Sequence, residues 1–260
     1  MAYLGLVVRP KDLTMPGYDF RTTRLYVDAP LEEGRPAALD RGQAHYLTTV
    51  LRLKAGESIL VFNSRDGEWR ATLEGGKRAA ALRIGARTRA QTAPADLHYL
   101  FAPLKSARLD YMVQKAVEMG ASQLRPVLTR HGQVARVNLE RMRANTIEAA
   151  EQCGILSLPE ITAPVALTEA LAAWETKRYL VFCDEAADLA DPLAALAAVP
   201  RHAPLAILVG PEGGFAADER AGLLKLPNVV RLALGPRILR ADTAAVAALA
   251  LVQAAIGDWR

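Results

Sequence analysis

The sequence predicts an α/β chain in two parts: a small β-rich module, then a larger domain whose mostly parallel sheet is covered by helices on both faces. Three observations carry this. Between residues 24 and 84 the apolar runs are short and separated by turn residues. Beyond residue 93, apolar strands alternate with stretches of helical periodicity, the pattern of a parallel sheet with crossover helices. The basic excess is confined to the first part: residues 1–92 carry 15 Lys and Arg against 10 Asp and Glu, whereas residues 93–260 carry 17 against 18.

In the first part, strands are expected over 24–28, 58–62, 68–73 and 79–84, rich in Val, Ile, Leu, Phe, Trp and Thr. They break at Glu33-Gly34, Ala55-Gly56, Asp66-Gly67 and Gly75-Gly76. Asp66-Gly67 between two such runs predicts a hairpin. One short helix is expected near 43–51, and the whole forms a small β-barrel-like module. Residues 88–94 read as the linker.

In the second part, strands are expected over 97–101, 123–128, 179–183, 205–209 and 229–234. A helix capped by Ser106 carries Leu109, Met112, Val113, Ala116 and Val117 on one face and closes at Gly120. Further helices are expected over 139–153, 168–174 and 191–199, the last with Asp191 as cap and Pro192 in its first turn. A final Ala-rich helix runs over 243–256, capped by Asp242 or Thr243.

Composition excludes several classes. With 51% hydrophobic and 23% charged residues, the 260-residue chain can bury a core and is neither disordered nor collagen-like. The apolar tail at 244–256 falls short of the ~18 to 20 residues a membrane helix needs, so no membrane partner is expected. The first nine residues lack the charge order and cleavage site of a secretory signal. Cys153 and Cys183 are too few and too far apart for a disulfide framework or metal cluster; they are expected to be buried thiols in a reducing cytoplasm.

Two segments hold the chemistry. Leu208-Val-Gly-Pro-Glu-Gly-Gly-Phe215 runs a strand into Gly210, Glu212, Gly213 and Gly214. Glycines there let backbone approach a ligand at the end of the sheet where α/β proteins bind them. It is neither a dinucleotide fingerprint nor a P-loop. Leu234-Gly235-Pro236-Arg237-Ile238-Leu239-Arg240-Ala-Asp242-Thr243 places two arginines beside a glycine loop and a helix start, an anion-friendly arrangement.

These paired motifs resemble the C-terminal signature of the RsmE family, SPOUT-class enzymes that methylate N3 of a uridine in small-subunit (16S) ribosomal RNA. The resemblance continues through Lys105-x-x-Arg-Leu-Asp-Tyr-Met-Val-Gln-Lys-Ala-Val-Glu-Met-Gly120, Glu148-Ala-Ala-Glu-Gln-Cys-Gly154 and His45-Tyr-Leu-Thr-Thr-Val-Leu-Arg-Leu-Lys-Ala-Gly56, and covers roughly residues 15–260. The chain departs from the family pattern at Ile155, often Arg, and at His131, often Ser or Thr. Residues 1–14 are expected to be an upstream extension with little order.

The resemblance implies a PUA-like RNA-binding β-barrel over 15–90 and a SPOUT-type methyltransferase domain over 93–260 whose C-terminal segment forms a trefoil knot. It also implies S-adenosyl-L-methionine as cofactor, a cytoplasmic homodimer and 16S ribosomal RNA, free or in the assembled small subunit, as partner; no metal is implied. On it, Gly210, Glu212, Gly213, Gly214, Leu234, Gly235, Ile238 and Leu239 would hold the cofactor. Arg240, with Arg237 second, would stabilise the uracil anion. Arg24, Arg52 and Lys54 would contact RNA phosphates. Glu212 or Asp242 could accept the N3 proton or could equally hold backbone amides, and His45 and His131 are weaker candidates for a base. Two other functions stay open: a noncatalytic RNA-binding protein, and a small-molecule enzyme for which the basic module is incidental.

Overall fold

The computed structural model describes residues 19, 21–75, 80–187 and 191–259, and the chain divides into two units, residues 1–90 and 91–260. The expected upstream extension at 1–14, the Gly76 half of the last turn and the first residue of the 79–84 strand lie outside the described residues.

In the first unit five strands form one sheet in the order β1-β3-β4-β5-β2: β1 (Arg24–Tyr26), β2 (Pro36–Ala38), β3 (Ser58–Phe62), β4 (Glu68–Glu74) and β5 (Ala81–Arg89). Strands β1 and β3 are parallel and the other pairs antiparallel. The β3–β4 hairpin turns at Gly67, whose φ of 87° suits glycine. The Asp66 carboxylate beside it accepts from the Leu31 backbone N–H at 2.9 Å and from the Asn63 amide at 2.6 Å. Helix α1 (Arg41–His45) starts with a reciprocal cap: Asp40 accepts from the Gln43 N–H and Gln43 from the Asp40 N–H. It runs into a π-helical turn, Tyr46–Val50. Leu25, Val27, Leu47, Ile59, Val61 and Leu82 belong to the core.

The second unit contains a wholly parallel sheet in the order β12-β10-β11-β6-β7-β8, with β9 beside β7. Its strands are β6 (Leu97–Phe101), β7 (Gln123–Leu128), β8 (Glu160–Ile161), β9 (Val165–Ala166), β10 (Tyr179–Cys183), β11 (Leu205–Val209) and β12 (Val229–Leu232). Its helices are α2 (Ser106–Glu118), α3 (Leu139–Cys153), α4 (Leu167–Ala172), α5 (Pro192–Leu196), α6 (Ala217–Leu224) and α7 (Ala241–Ala255). Side chains alternate across each strand, so the sheet has two apolar faces. Tyr99, Phe101, Val181 and Ile207 pack on one with Met112 of α2 and Leu249 of α7; Leu100, Leu180, Phe182 and Leu208 pack on the other with Leu223 of α6.

Several expectations need correction. Ser106 does not cap α2: it is the first helical residue, at φ 32°, and Lys105 at the cap position makes no side-chain bond. Helix α7 begins at Ala241, with Arg240 at the cap position and Asp242 already inside the first turn. Strand β12 stops at Leu232, which leaves Leu234 in the loop. Cys153 is exposed rather than buried, because it ends α3 where Gly154 at φ 62° turns the chain. Three short strands, β2, β8 and β9, carry no periodic signal; two or three residues are too few to show one.

Candidate active site

Parallel strands send all their C-terminal ends to one edge of the sheet. At that edge β11 leads into 210–216, β12 into 233–240, and β10, which lies between them, into 184–187. The two glycine-bearing loops therefore leave strands separated by one neighbour.

The first loop is a tight backbone turn. The Gly214 N–H donates to the Pro211 carbonyl at 3.0 Å, and Gly214 sits at φ 68°. A side-chain carbon at Gly210 would strike the Phe215 ring, which stacks edge-on against Phe182 at 5.2 Å. A carbon at Gly214 would strike the Glu185 carboxylate, and one at Gly213 would come 3.2 Å from the His131 Cβ. A bulky substitution at Gly213 thus presses first on His131. The ring Nδ1 of His131 lies 3.1 Å from the Gly213 carbonyl, which can only accept, so Nδ1 donates. His131 holds the loop from outside. His45 is exposed at the end of α1, in the other unit.

Asp184 anchors the middle loop. It is buried, and accepts from Arg220 of α6 at 3.1 and 2.8 Å and from Arg231 of β12 at 2.7 Å. Burial pushes its carboxyl pKa up, but the bonds to Arg220 and Arg231 outweigh this and hold it low. One carboxylate thereby ties the helix after the first loop to the strand before the second.

The clearest link between the two loops is Arg108, from the first turn of α2. Its Nε and Nη2 donate to Asp242 at 3.0 and 3.1 Å, and its Nη1 donates to Glu212. Asp242 also accepts from the Thr243 N–H at 3.0 Å. The Arg108 bonds hold the Asp242 carboxyl below the usual carboxylate range, and the two carboxylates raise the Arg108 pKa in turn. A carboxylate held ionised by an arginine is a weak proton acceptor, so Asp242 is a structural partner rather than a base. Sequence reading assigned Arg108 no role. Its only signal was its place in the Lys105-x-x-Arg segment, because partners 104 and 134 residues away leave no local trace.

Arg237, Ile238 and Arg240 are exposed, and Leu234 and Leu239 are half-buried. Arg240, at the cap position of α7, makes no side-chain capping bond to the helix. Gly235, at φ 93°, has open space where a side chain would stand.

The three basic residues expected to meet RNA part company. Arg24 is buried, with its side chain 4% exposed: Nε donates to Glu68 at 2.9 Å and Nη2 to the Asp19 carbonyl at 2.6 Å. Glu68 also accepts from Arg89 and Thr88. Arg24 is thus a core ion-pair residue and is withdrawn as a phosphate contact. Arg52 and Lys54 are exposed on the segment after the π-helical turn, Arg52 at φ 57°. Among the described residues no group of three or more His, Cys, Asp or Glu is placed to hold a metal, and no helix is long and apolar enough to cross a membrane.

Comparison with known proteins agrees with this layout. A family model described as an RNA methyltransferase domain matches residues 91–253, and one described as an RNA methyltransferase PUA domain matches 39–85. The ribosomal RNA small subunit methyltransferase E of Rickettsia conorii is 30% identical over 232 residues, 88% of this chain and 94% of that protein. Its Mycobacterium bovis counterpart is 31% identical over 253 residues, 90% and 92% of the two chains. The crystal structure of the Neisseria gonorrhoeae ribosomal RNA small subunit methyltransferase E, bound to S-adenosyl methionine, superposes with a TM-score of 0.81 at 26% identity, covering 92% of this chain and 100% of that one. With a family model matched over 91–253 and relatives at 30 and 31% identity over most of both chains, the chain belongs to the RsmE family of RNA methyltransferases.

Proposed function

We propose that the protein methylates N3 of a uridine in small-subunit (16S) ribosomal RNA, with S-adenosyl-L-methionine as donor, acting as a cytoplasmic homodimer. In this reading the cofactor lies against 210–214 and 234–239, residues 15–90 form the RNA-binding PUA-like domain, and residues 93–260 form a methyltransferase domain with a C-terminal trefoil knot. The observation that carries the reading is the Arg108 clamp, which gathers Glu212 and Asp242 beside the exposed Arg240.

The loop residues fit the donor. Gly235 leaves backbone open to close approach. Ile238 is 103% exposed, an apolar side chain with no cover of its own. Leu234 and Leu239 are half-buried beside it. Together these present an apolar wall, with backbone groups to read an adenine. When bound, the donor supplies a sulfonium-activated, electrophilic methyl group.

The protein's tasks are then to orient the uracil and to stabilise its charge. Uridine N3 attacks well only after its proton has left, and the resulting anion spreads onto O2 and O4. A guanidinium aimed there stabilises that charge as it develops, the role assigned to Arg240 with Arg237 as second candidate. The N3–carbon bond forms, the sulfonium carbon–sulfur bond breaks, and the sulfur keeps the electron pair. The proton passes to solvent, since Arg108 holds Glu212 as it holds Asp242. Arg52 and Lys54 hold RNA phosphates on the first domain.

The deciding experiment maps modified uridines in small-subunit ribosomal RNA from cells with and without the protein. It is repeated with purified protein, donor and either naked RNA or small subunits. One uridine methylated at N3 only when the protein is present is the expected result; an unchanged map refutes the assignment.

A further inference from the structure

The first glycine-bearing loop, through Pro211 and Glu212, borders one end of a pair of clefts whose larger member the proposed function leaves unassigned. A recess of about 140 Å³ opens among Pro103, Arg108, Gln133 and Glu212. Through Leu104 and Lys105 it adjoins a larger cleft of about 380 Å³ between the first turns of α2 and the 134–142 segment. The larger volume lies in the ~300–1,000 Å³ range of small-molecule sites, and the smaller falls below it.

The lining is apolar below and cationic above. Leu104, Leu109 and Met142 are buried in the floor, with Val134 and Val137 half-buried beside them. Three cations stand on the rim, and their states differ. Arg141 is spent: its guanidinium donates to Asp110 at 2.9 and 2.6 Å, and Asn145 donates to the same carboxylate at 2.7 Å. Asn138 is spent too, capping α3 through the Arg141 N–H at 3.0 Å. Lys105 and Arg136 are exposed, and neither has an ion-pair partner among the described residues. At the same rim Ser106 opens α2 at φ 32°, a strained backbone conformation that persists where the surroundings impose it.

An apolar floor beneath two uncompensated cations matches a base below a phosphate. Resting on the proposed RNA methyltransferase reading, we infer that this cleft seats a nucleotide of single-stranded RNA next to the target uridine, with its base on Leu104, Leu109 and Met142 and its phosphate between Lys105 and Arg136. Sequence-specific RNA recognition splays bases out of the stack onto such surfaces. The smaller recess is too small for a whole nucleotide. It has room for the target base alone, beside Arg108 and Glu212. Lys105 and Arg136 are positioning residues: they hold the strand and do not touch the reacting atoms.

The test compares the full-length protein with Lys105→Ala, Arg136→Ala and the double variant on a small-subunit ribosomal RNA fragment. Donor affinity should stay within about twofold, kcat within a few-fold, and KM for RNA should rise about tenfold or more in the double variant. Losing the one single-stranded phosphate held between them should make the logarithmic salt dependence of RNA binding shallower by about 0.7. Lys105→Arg should recover most of the affinity. Wild-type KM and salt slope in the double variant would overturn the inference. So would a weakened dimer with unchanged RNA affinity, which would make the cleft a contact between subunits. If the wild-type protein methylates no uridine, the proposed reaction falls, while the salt slope still judges the cleft.

Discussion

Arg240 stands one residue before α7, exposed and with no side-chain capping bond to the helix, which leaves its guanidinium to a ligand. If it stabilises the uracil anion, Arg240→Ala should lower single-turnover methylation about 100- to 1000-fold while donor affinity stays within a few-fold. Raising the pH should recover part of the rate by supplying more N3 anion. Arg240→Lys keeps the charge but loses the planar fork, and should fall between. A large loss of donor affinity with an unchanged rate at saturating donor would instead assign Arg240 to loop structure. His98 makes a different residue-scale prediction. Burial, with Arg178 nearby, pushes its imidazole down to about 4, and Asp96 at 3.5 Å does not offset this. An unfolded histidine titrates near ~6.5, so between that pH and about 4 the unfolded chain takes up a proton that the native chain refuses. The His98 contribution to stability is intact above pH ~6.5 and is lost as pH falls toward 4. Denaturant melts should show a smaller stability loss from pH 7 to 5 in His98→Gln than in wild type; equal losses would show that His98 does not carry this dependence.

At the scale of elements, the two glycine-bearing loops are set by their neighbours as much as by their own sequence. Arg108 of α2 is bonded to Glu212 in the first loop and to Asp242 in the first turn of α7, so Arg108→Ala should weaken donor affinity and slow turnover together, since it frees both at once. These side chains are partly exposed, so the melting temperature should drop only about 2–4 °C. Loss of activity through a drop far larger than that would mean the clamp serves folding. The helices and long strands were legible because burial imposes a period: Met112, Val113, Ala116 and Val117 line one face of α2 and are all buried. The start of α7 was not. Asp242 looks like a cap in sequence, but its carboxylate is taken by Arg108, so helix geometry begins one residue earlier than Asp242. Arg24 misleads for a related reason. Nothing local says that an arginine on a three-residue strand faces a buried Glu68 across the hairpin.

The whole molecule joins two units of opposite connectivity. The first is built around β3, β4 and β5, neighbours in sequence and antiparallel in the sheet. In the second, every strand pair is parallel, and the central pair joins Leu97 to Leu205 and Phe101 to Val209. Long-range pairings are costly to close, because loop entropy is lost before any contact repays it. Pulse-labelled hydrogen exchange during refolding should therefore protect 58–73 before 97–101; simultaneous protection would indicate a single cooperative unit. The parallel order also bears on synthesis. Strand β6 lies between β11 and β7, so until residue 209 of 260 has left the ribosome, one side of it has no partner. The nascent chain would thus carry a finished basic domain ahead of an exposed, half-built apolar sheet, and the second unit is the part most open to misfolding during synthesis.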